Sequence, residues 1–322
     1  MKRIIFILFI ILIPSFSIYT MGFREYNSNE LLAFIPENYT NMIFYLNIRN
    51  LAETVLFDEF FDEDNNFIYE KLLKNDINIK EDVYSMLVAG NGEMDNFTGA
   101  IAVINISYDK NTIIDNLDDD VMEEEYNGKT LYSWVTEDNK NQSIYFANNS
   151  IIIIGTDYVV KESVDIRDQG INNNIDITIN DRTFLWGKVL VTSEIIDMLN
   201  PNKNNDFIAL SFSRMAETIN SVEFYADYDL SDYYFFLNLI NDNESVNQEF
   251  ASIFNTIKAI LLFADDMDEE SKELLNNIHF LGNSAGVFIS ITLTEELLFR
   301  AIEKNKENNL MQDNQIETTK GI

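Results

Sequence analysis

Cysteine is absent from this chain of 322 residues, and histidine occurs once. Without cysteine there is no disulfide, thiolate zinc site, iron–sulfur cluster or cysteine nucleophile. The single histidine excludes metal sites with several histidine ligands, and a place at the start of a predicted strand favours a structural role for His279. The common serine-nucleophile and phosphate-binding motifs are also missing. We therefore predict a non-enzymatic protein without catalytic or cofactor-binding residues.

Positive charge is scarce, because 22 lysine and arginine residues face 54 aspartate and glutamate residues, a formal net charge of −32. The few basic residues are scattered singly, whereas binding to nucleic acid or to anionic lipid needs them clustered. Despite its acidity the chain is not predicted to be disordered, because 46% of the residues are hydrophobic and 13% are aromatic. The composition therefore predicts packed cores and excludes nucleic acid as a partner.

The N-terminus has the layout of an export signal. Lys2 and Arg3 precede the apolar run Ile4–Ile13, and Pro14 with small residues follows. We predict that residues 1–22 are a cleaved signal peptide or a retained N-terminal membrane anchor, both of which the segment Ile4–Gly22 permits.

Export would place the protein in the periplasm or cell envelope, anchored there by residues 4–22 if they are retained. The longest apolar stretch elsewhere, Ala251–Ala264, contains polar and charged residues and predicts a core helix. We therefore expect contact with a membrane only through the N-terminal segment.

The rest of the chain divides at a polar stretch, residues 168–180, which is rich in asparagine. The predicted units are a first half at residues 34–168, a second half at 181–306 and a polar tail at 307–322. Alternating and apolar runs predict these strands: Asn41–Ile48, Tyr84–Ala89, Gly99–Ile106, Thr183–Val191, Ser221–Tyr228, Asp232–Ile240 and a pair within Ile278–Leu293.

Turn and cap residues complete this outline. Asn127-Gly128 is the strongest hairpin signal, because both residues accept the positive φ of a type I′ turn, and we expect Asn148-Asn149 to act in the same manner. Asp109 predicts a helix N-cap, and Ser245 with Gln248 predicts a capping box. The helices predicted are Leu51–Phe61, Asp109–Leu117, Asp157–Arg167, Ser193–Leu199, the stripe from Val246 to Leu261, Glu269–Asn277 and a Thr294-capped helix to Lys306.

Both halves run strand, helix, hairpin, helix, hairpin, helix. We therefore predict an α+β fold of two similar halves, each an antiparallel sheet with helices packed on one face. A single irregular α+β domain is the open alternative, because no residue-level similarity links the halves.

Four segments resemble a class of exported bacterial proteins known as a domain of unknown function. They are FIPENYTNMIFYLNIRNL (Phe34–Leu51), DINIKEDVYSMLVAG (Asp76–Gly90), YNGKTLYSW (Tyr126–Trp134) and IIIIGTDYVVKESVDI (Ile151–Ile166). The last contains the pattern G-[ST]-x-x-x-[VL], with which that class begins a helix. The resemblance spans residues 34–166 and carries no catalytic motif. It implies export and a duplicated α+β outline.

Three acidic clusters raise the question of calcium, which is bound by carboxylate oxygens. None contains the glycine of the common calcium loop, so solvated acidic surfaces are the simpler interpretation and the metal ligands stay unknown. The clusters are Asp58 to Asp64, Asp118 to Glu125 and Asp265 to Glu270.

The leading functional hypothesis is an exported structural or partner-binding scaffold. One alternative is a carrier for an apolar ligand such as a lipid, in a pocket lined by the phenylalanine-rich helix Val246–Phe263. A further alternative is a carboxylate-dependent hydrolase. The run Tyr233–Phe236 is apolar on both strand faces, and we expect both faces to be covered by the other half or by a partner.

Overall fold

The computed structural model describes residues 28–57, 61, 77–93, 96–117, 120–136, 139–169, 182–191, 218–264 and 267–302. The architecture is α+β, with one antiparallel sheet in the order β11-β12-β10-β9-β8-β1-β2-β3-β7-β6-β5-β4. The strands are β1 (Met42–Asn47), β2 (Val83–Glu93), β3 (Asn96–Ile106), β4 (Met122–Tyr126), β5 (Lys129–Val135), β6 (Asn141–Asn148), β7 (Ile151–Thr156), β8 (Thr183–Leu190), β9 (Ser221–Asp229), β10 (Asp232–Ile240), β11 (Ile278–Asn283) and β12 (Gly286–Thr294).

Helices connect these strands. They are α1 (Ser28–Leu32), α2 (Ile48–Ala52), α3 (Ile79–Asp82), α4 (Lys110–Asp115), α5 (Asp157–Gln169), α6 (Glu244–Leu262), α7 (Glu269–Asn276) and α8 (residues 295–302), with a 3₁₀ turn at Glu37–Tyr39. The prediction gave each half its own sheet, whereas the structure joins all described strands into one.

The junction is the antiparallel pair of β1 and β8, which runs from Met42↔Val189 to Leu46↔Leu185. Gly187 lies in register between Phe44 of β1 and Phe224 of β9. The two rings are 5.8 Å apart at their centroids, and a Cβ on Gly187 would overlap both of them. The absent side chain therefore lets two phenylalanines close over the junction.

Side chains alternate between two faces of the sheet. On the front face, residues such as Met86 and Val88 of β2 pack beneath α2, α3, α4, α6, α7 and α8. On the back face, residues such as Leu87 and Ala89 pack beneath α1 and α5. Helices thus lie on both faces, which corrects the prediction of one. The reason is that β2 and its neighbours are apolar at successive positions and must be covered twice.

The local turn signals succeed where the residue chemistry is specific. Asn127 and Gly128 have φ of 50° and 72°, which confirms the hairpin of β4 and β5. The Asn148-Asn149 hairpin also forms, but through a register irregularity after Phe146 and a hydrogen bond from the Ser150 N–H to the Asn148 side chain, 2.7 Å. The expectation of the same turn geometry was therefore wrong.

Helix caps were predicted with equally mixed success. Asp109 accepts a hydrogen bond from Asn111 N–H at 2.8 Å and caps α4 as expected. The predicted cap at Ser245 was wrong, because Asn243 caps α6 by accepting from Val246 N–H. Asparagine at N-cap satisfies the same exposed donors as serine, so two adjacent candidates compete.

Several predictions lie outside the described residues. They concern the export segment 1–22, the helix Ser193–Leu199, most of the boundary 168–180 and the tail 307–322. The domain boundaries therefore stay predictions.

Candidate functional site

A group of large side chains on the back face of β9–β12 forms what we call the open patch: Tyr225, Tyr234, Phe236, Leu281 and Phe288. The strand register brings them together, since Phe236 is opposite Tyr225 and Leu281 is opposite Phe288. Leu281 is 61% exposed and the four aromatic rings are half-buried. Such a density of rings on a sheet surface is typical of protein interfaces.

The centre of the open patch is a stacked pair. The rings of Tyr225 and Phe236 are 4.4 Å apart with an 18° angle between their planes. Burial, with a smaller contribution from the charge of Asp227, raises the pKa of Tyr225, so this phenol is neutral at physiological pH. The pair therefore presents an uncharged and fixed surface.

Charged residues lie around the rings on the same face. Lys188 donates to Glu223 at 2.7 Å, and the hydroxyl of Thr183 donates to Asp227 at 2.7 Å. Asn238 lies opposite Glu223 on one side and Phe288 on the other. The open patch is therefore an apolar centre with a polar rim, the usual anatomy of a protein interface.

The back face is covered unevenly. The back helices α1 and α5 lie on β2, β3, β6 and β7, and the apolar cluster beneath them ends at Trp186 of β8 with Tyr225 at its margin. Within the ranges that the structure describes, no helix lies on the back face of β9–β12. The expectation that Tyr233–Phe236 is covered is thus confirmed for the front face, and cover of the back face by a partner stays a prediction.

The front side of the same strand shows the contrast. Tyr233 is 0% exposed, its hydroxyl accepts a hydrogen bond from Val55 N–H at 3.1 Å, and its ring meets Phe184 edge-on at 6.4 Å. The same strand therefore has a fully buried tyrosine, Tyr233, next to Tyr234, which is only partly buried.

A cavity of about 460 Å³ lies near the start of α4. Tyr108 donates from its hydroxyl to the Asn148 carbonyl, and the Lys110 ammonium sits 5.2 Å from the centre of the Phe146 ring. Burial raises the pKa of Tyr108. The cavity is lined by Tyr108, Asp109, Lys110, Phe146, Asn148 and Asn149. It is not the predicted pocket, because no residue of α6 lines it.

The α6 stripe explains that difference. Its first half, with Phe250 and Phe254, packs on the front of the sheet, where Phe254 stacks on Phe280 at 5.2 Å. At its end Ile257 and Leu261 are still half-buried, whereas Ile260 is 65% and Phe263 is 87% exposed. The phenylalanine-rich stripe is thus partly core and partly surface.

A polar network beneath α5 contains a serine, a carboxylate and a lysine. Ser143 donates to Asp157, and Lys161 donates to Asp157 at 3.0 Å and to Glu124 at 2.9 Å. Burial opposes the charge of Lys161, but the hydrogen bonds to Glu124 and Asp157 win and raise its pKa. A charged lysine cannot accept the proton of Ser143, which is itself fully buried, so these groups anchor α5 to the sheet.

The described members of the acidic clusters point in different directions. Glu124 faces the back and pairs with Lys161, whereas Glu123 and Glu125 face the front, because they alternate along β4. Asp268 caps α7 by accepting from Ser271 N–H at 2.9 Å. In the part of the chain that the structure describes, no group of three acidic or histidine side chains is placed to hold a metal ion. Outside that part lie Asp58, Glu59, Asp62, Glu63, Asp64, Asp118, Asp119, Asp265 and Asp266.

His279 lies at the start of a strand, as predicted, because β11 begins at Ile278. It is exposed on the edge strand β11, opposite Ser290 on the back face. It therefore lies beside the open patch and outside the packed core.

None of the helices within the described ranges has the length and apolar character that a membrane crossing requires.

The sequence matches no protein-family model and no curated protein sequence. The structure is similar to crystal structures of a protein named TP0453, with 12% sequence identity in each case. Crystal form III gives a TM-score of 0.48 over 85% of this chain and 97% of that chain, and crystal form IV gives 0.48 over 84% and 95%. Crystal form I gives 0.45 over 85% and 96%. At these values the similarity assigns no function to the chain.

Proposed function

We propose that this protein is an exported, non-enzymatic scaffold that binds a protein partner through the open patch. The observation that carries the proposal is the contrast between the two faces of β10: Tyr233 is fully buried on the front face, whereas Tyr234 and Phe236 are only partly buried on the back face. Burying such rings against a partner contributes roughly 25 cal/mol for each Å² of apolar surface removed from water. The polar rim, with Glu223 and Asp227, would select the orientation of that partner.

Export is supported by the N-terminal sequence, where Lys2 and Arg3 precede the apolar run Ile4–Ile13. In this proposal the protein acts in the periplasm or at the cell surface, free or anchored by residues 4–22. Fractionation of the host with N-terminal sequencing tests this part. Full-length protein in the cytosolic fraction would contradict it.

A duplicated origin for the two halves is also part of the proposal. On each side of the β1–β8 pair the sheet continues as a meander, β1-β2-β3 and β8-β9-β10. On each side a later strand, β7 or β12, then inserts next to the third strand of the meander. The halves differ in size, because the first adds four strands after its meander and the second adds two.

The test of partner binding is a native mass measurement of the full chain purified from its own host. We expect a bound protein subunit, which is lost in Phe236→Asp because a carboxylate cannot be buried unpaired in an apolar interface. Phe299→Asp is the matched control, since Phe299 is 48% exposed on the front helix α8. Phe299→Asp should melt close to the original chain, whereas Phe236→Asp loses the stacking on Tyr225 and should stay folded with a lower melting temperature.

Retention of the subunit by Phe236→Asp would contradict the open patch as the interface. A co-purifying small molecule in place of a subunit would favour the apolar-ligand carrier, for which the cavity beside Tyr108 has an adequate volume, about 460 Å³. The carboxylate-dependent hydrolase stays a prediction that hydrolytic activity alone would support.

A further inference from the structure

The twelve-stranded sheet is open and ends in two edge strands, β11 and β4. An edge strand carries backbone N–H and C=O groups that point away from the sheet and can pair with another chain. Among the described residues, the two edges differ in whether a helix binds their outward backbone groups.

The β11 edge is covered by α6. Lys258 donates to the Ile278 carbonyl at 2.6 Å, and the Asn255 amide donates to the Phe280 carbonyl at 3.2 Å. Both carbonyls point outward: the Thr292 N–H of β12 donates to the Asn277 carbonyl, so the hydrogen bonds to β12 alternate from Asn277 to His279 and leave Ile278 and Phe280 facing away. A Cβ on Gly282 would overlap the backbone of Asn247, so the helix lies directly against this strand.

At the β4 edge the outward backbone groups have no such helix partner among the described residues. The two-residue turn makes Tyr126 and Lys129 a hydrogen-bonded pair. From there every second residue of β4 is hydrogen-bonded to β5, so the backbone N–H and C=O groups of Glu123 and Glu125 point away from the sheet. No described residue donates to or accepts from these four backbone groups. As far as the described ranges extend, the edge therefore has room for one further antiparallel strand.

The strand is held rigidly from behind. Lys161 of α5 binds the Glu124 carboxylate, and Asp165 of α5 accepts from the Tyr126 hydroxyl at 2.8 Å and from the Asn127 amide at 2.8 Å. A partner strand would therefore meet an edge that is already ordered, which lowers the entropy cost of binding.

The side chains at the edge define the partner. Glu123 and Glu125 are exposed on the front face, and Met122 beside them is 63% exposed. A second copy of this chain would place glutamates against glutamates, and like charges across a strand pair are destabilising. With a formal charge of −32, two copies also repel each other at long range.

We propose that β4 is a strand-addition site for an extended segment of another protein that carries lysine or arginine at alternate positions. The backbone groups of Glu123 and Glu125 would bond to that segment, and their carboxylates would pair with its basic side chains. This surface is distinct from the open patch, so an experiment that contradicts the strand-addition proposal leaves the open-patch proposal untouched, and the reverse holds as well.

The experiment uses the full chain and a fluorescent heptapeptide of alternating valine and lysine, with binding followed by anisotropy at low and high salt. We expect saturable binding that weakens with salt and protects the amides of Glu123 and Glu125 from hydrogen exchange. Glu123→Lys with Glu125→Lys should weaken binding about tenfold or more, since two charge pairs become repulsive. Glu81→Lys with Glu249→Lys, which changes the net charge equally on exposed helical positions, should retain most of the affinity.

Two further comparisons separate strand addition from simple charge attraction. Glu125→Pro removes an outward N–H on an edge strand, where proline is tolerated, and should abolish binding that Glu125→Gln only weakens. A peptide N-methylated at alternate residues should not bind. Equal binding of the methylated peptide, equal affinities of the proline and glutamine variants, or no binding to the original chain would each overturn the proposal.

Discussion

Asn105 is a buried polar residue whose amide has no hydrogen-bond partner among the described residues. It is 0% exposed on β3, opposite Ser85 of β2, whose hydroxyl is also without a described partner. Burying an amide without hydrogen bonds costs about 1–3 kcal/mol in proteins. A strand-forming apolar residue of similar size removes that cost.

We therefore expect Asn105→Val to raise the free energy of unfolding by about 1 kcal/mol in urea denaturation. Asn247→Leu is the opposite case, because the Asn247 amide donates to the carbonyls of Asn241 and Asn283, each at 2.8 Å. Loss of the Asn247 amide leaves two buried carbonyls without a hydrogen-bond donor and should lower the free energy of unfolding by about 2–3 kcal/mol. A destabilised Asn105→Val variant would mean that a bound water satisfies the amide.

The raised pKa of Tyr39 predicts that the folded state loses stability at high pH. Burial, with the nearby charge of Glu162, raises its pKa from 10.0 to about 12. The neutral phenol is thus favoured in the folded state, so this contribution is present below pH 10 and is lost as the pH rises toward 12. We expect Tyr39→Phe to lose less melting temperature between pH 9 and pH 12 than the original chain. An identical pH dependence of the two proteins would contradict the assignment.

At the scale of elements, Lys258 is one of the residues that tie α6 to the edge strand β11. Lys258 donates to the carbonyls of Asn276 and Ile278, and burial lowers its pKa. We expect Lys258→Met to keep the apolar stem, to lose about 1–2 kcal/mol of stability and to speed hydrogen exchange in β11. Lys272→Met, which loses an exposed pair with Glu269, should change little. Unchanged exchange in β11 after Lys258→Met would show that the edge is protected by α6 packing alone.

Local signals predicted most described elements because their chemistry is local. The alternation of Val222, Phe224, Ala226 and Tyr228 against Glu223, Tyr225 and Asp227 gave both the strand β9 and its faces. The Asn127-Gly128 turn gave a hairpin. The pairing of β1 with β8 could not be predicted in this way, because it depends on residues more than a hundred positions apart.

The candidate site was predicted only in outline. The apolar pattern of Tyr233–Phe236 indicated two apolar faces, but which face stays open depends on where α1, α5 and α6 pack. The register that places Leu281 beside Phe288 also arises only when β12 inserts next to β10.

At the scale of the whole molecule, the charge of −32 predicts a strong response to salt. Screening reduces self-repulsion of the folded state, so added sodium chloride should raise the melting temperature. We expect calcium chloride at matched ionic strength to act equally, since the described acidic side chains diverge. A larger shift with near-millimolar calcium would support a calcium site.

The order of the strands also decides how the molecule would carry mechanical load. The chain enters the sheet at Met42, at the end of β1 that pairs with Val189, and leaves it at Thr294, which pairs with Asp232 at the opposite end. Tension between the two ends would therefore pull β1 and β12 lengthwise in opposite directions. The ladders between them, β1–β8, β8–β9, β9–β10 and β10–β12, would be sheared, with many hydrogen bonds loaded together, and not unzipped one bond at a time.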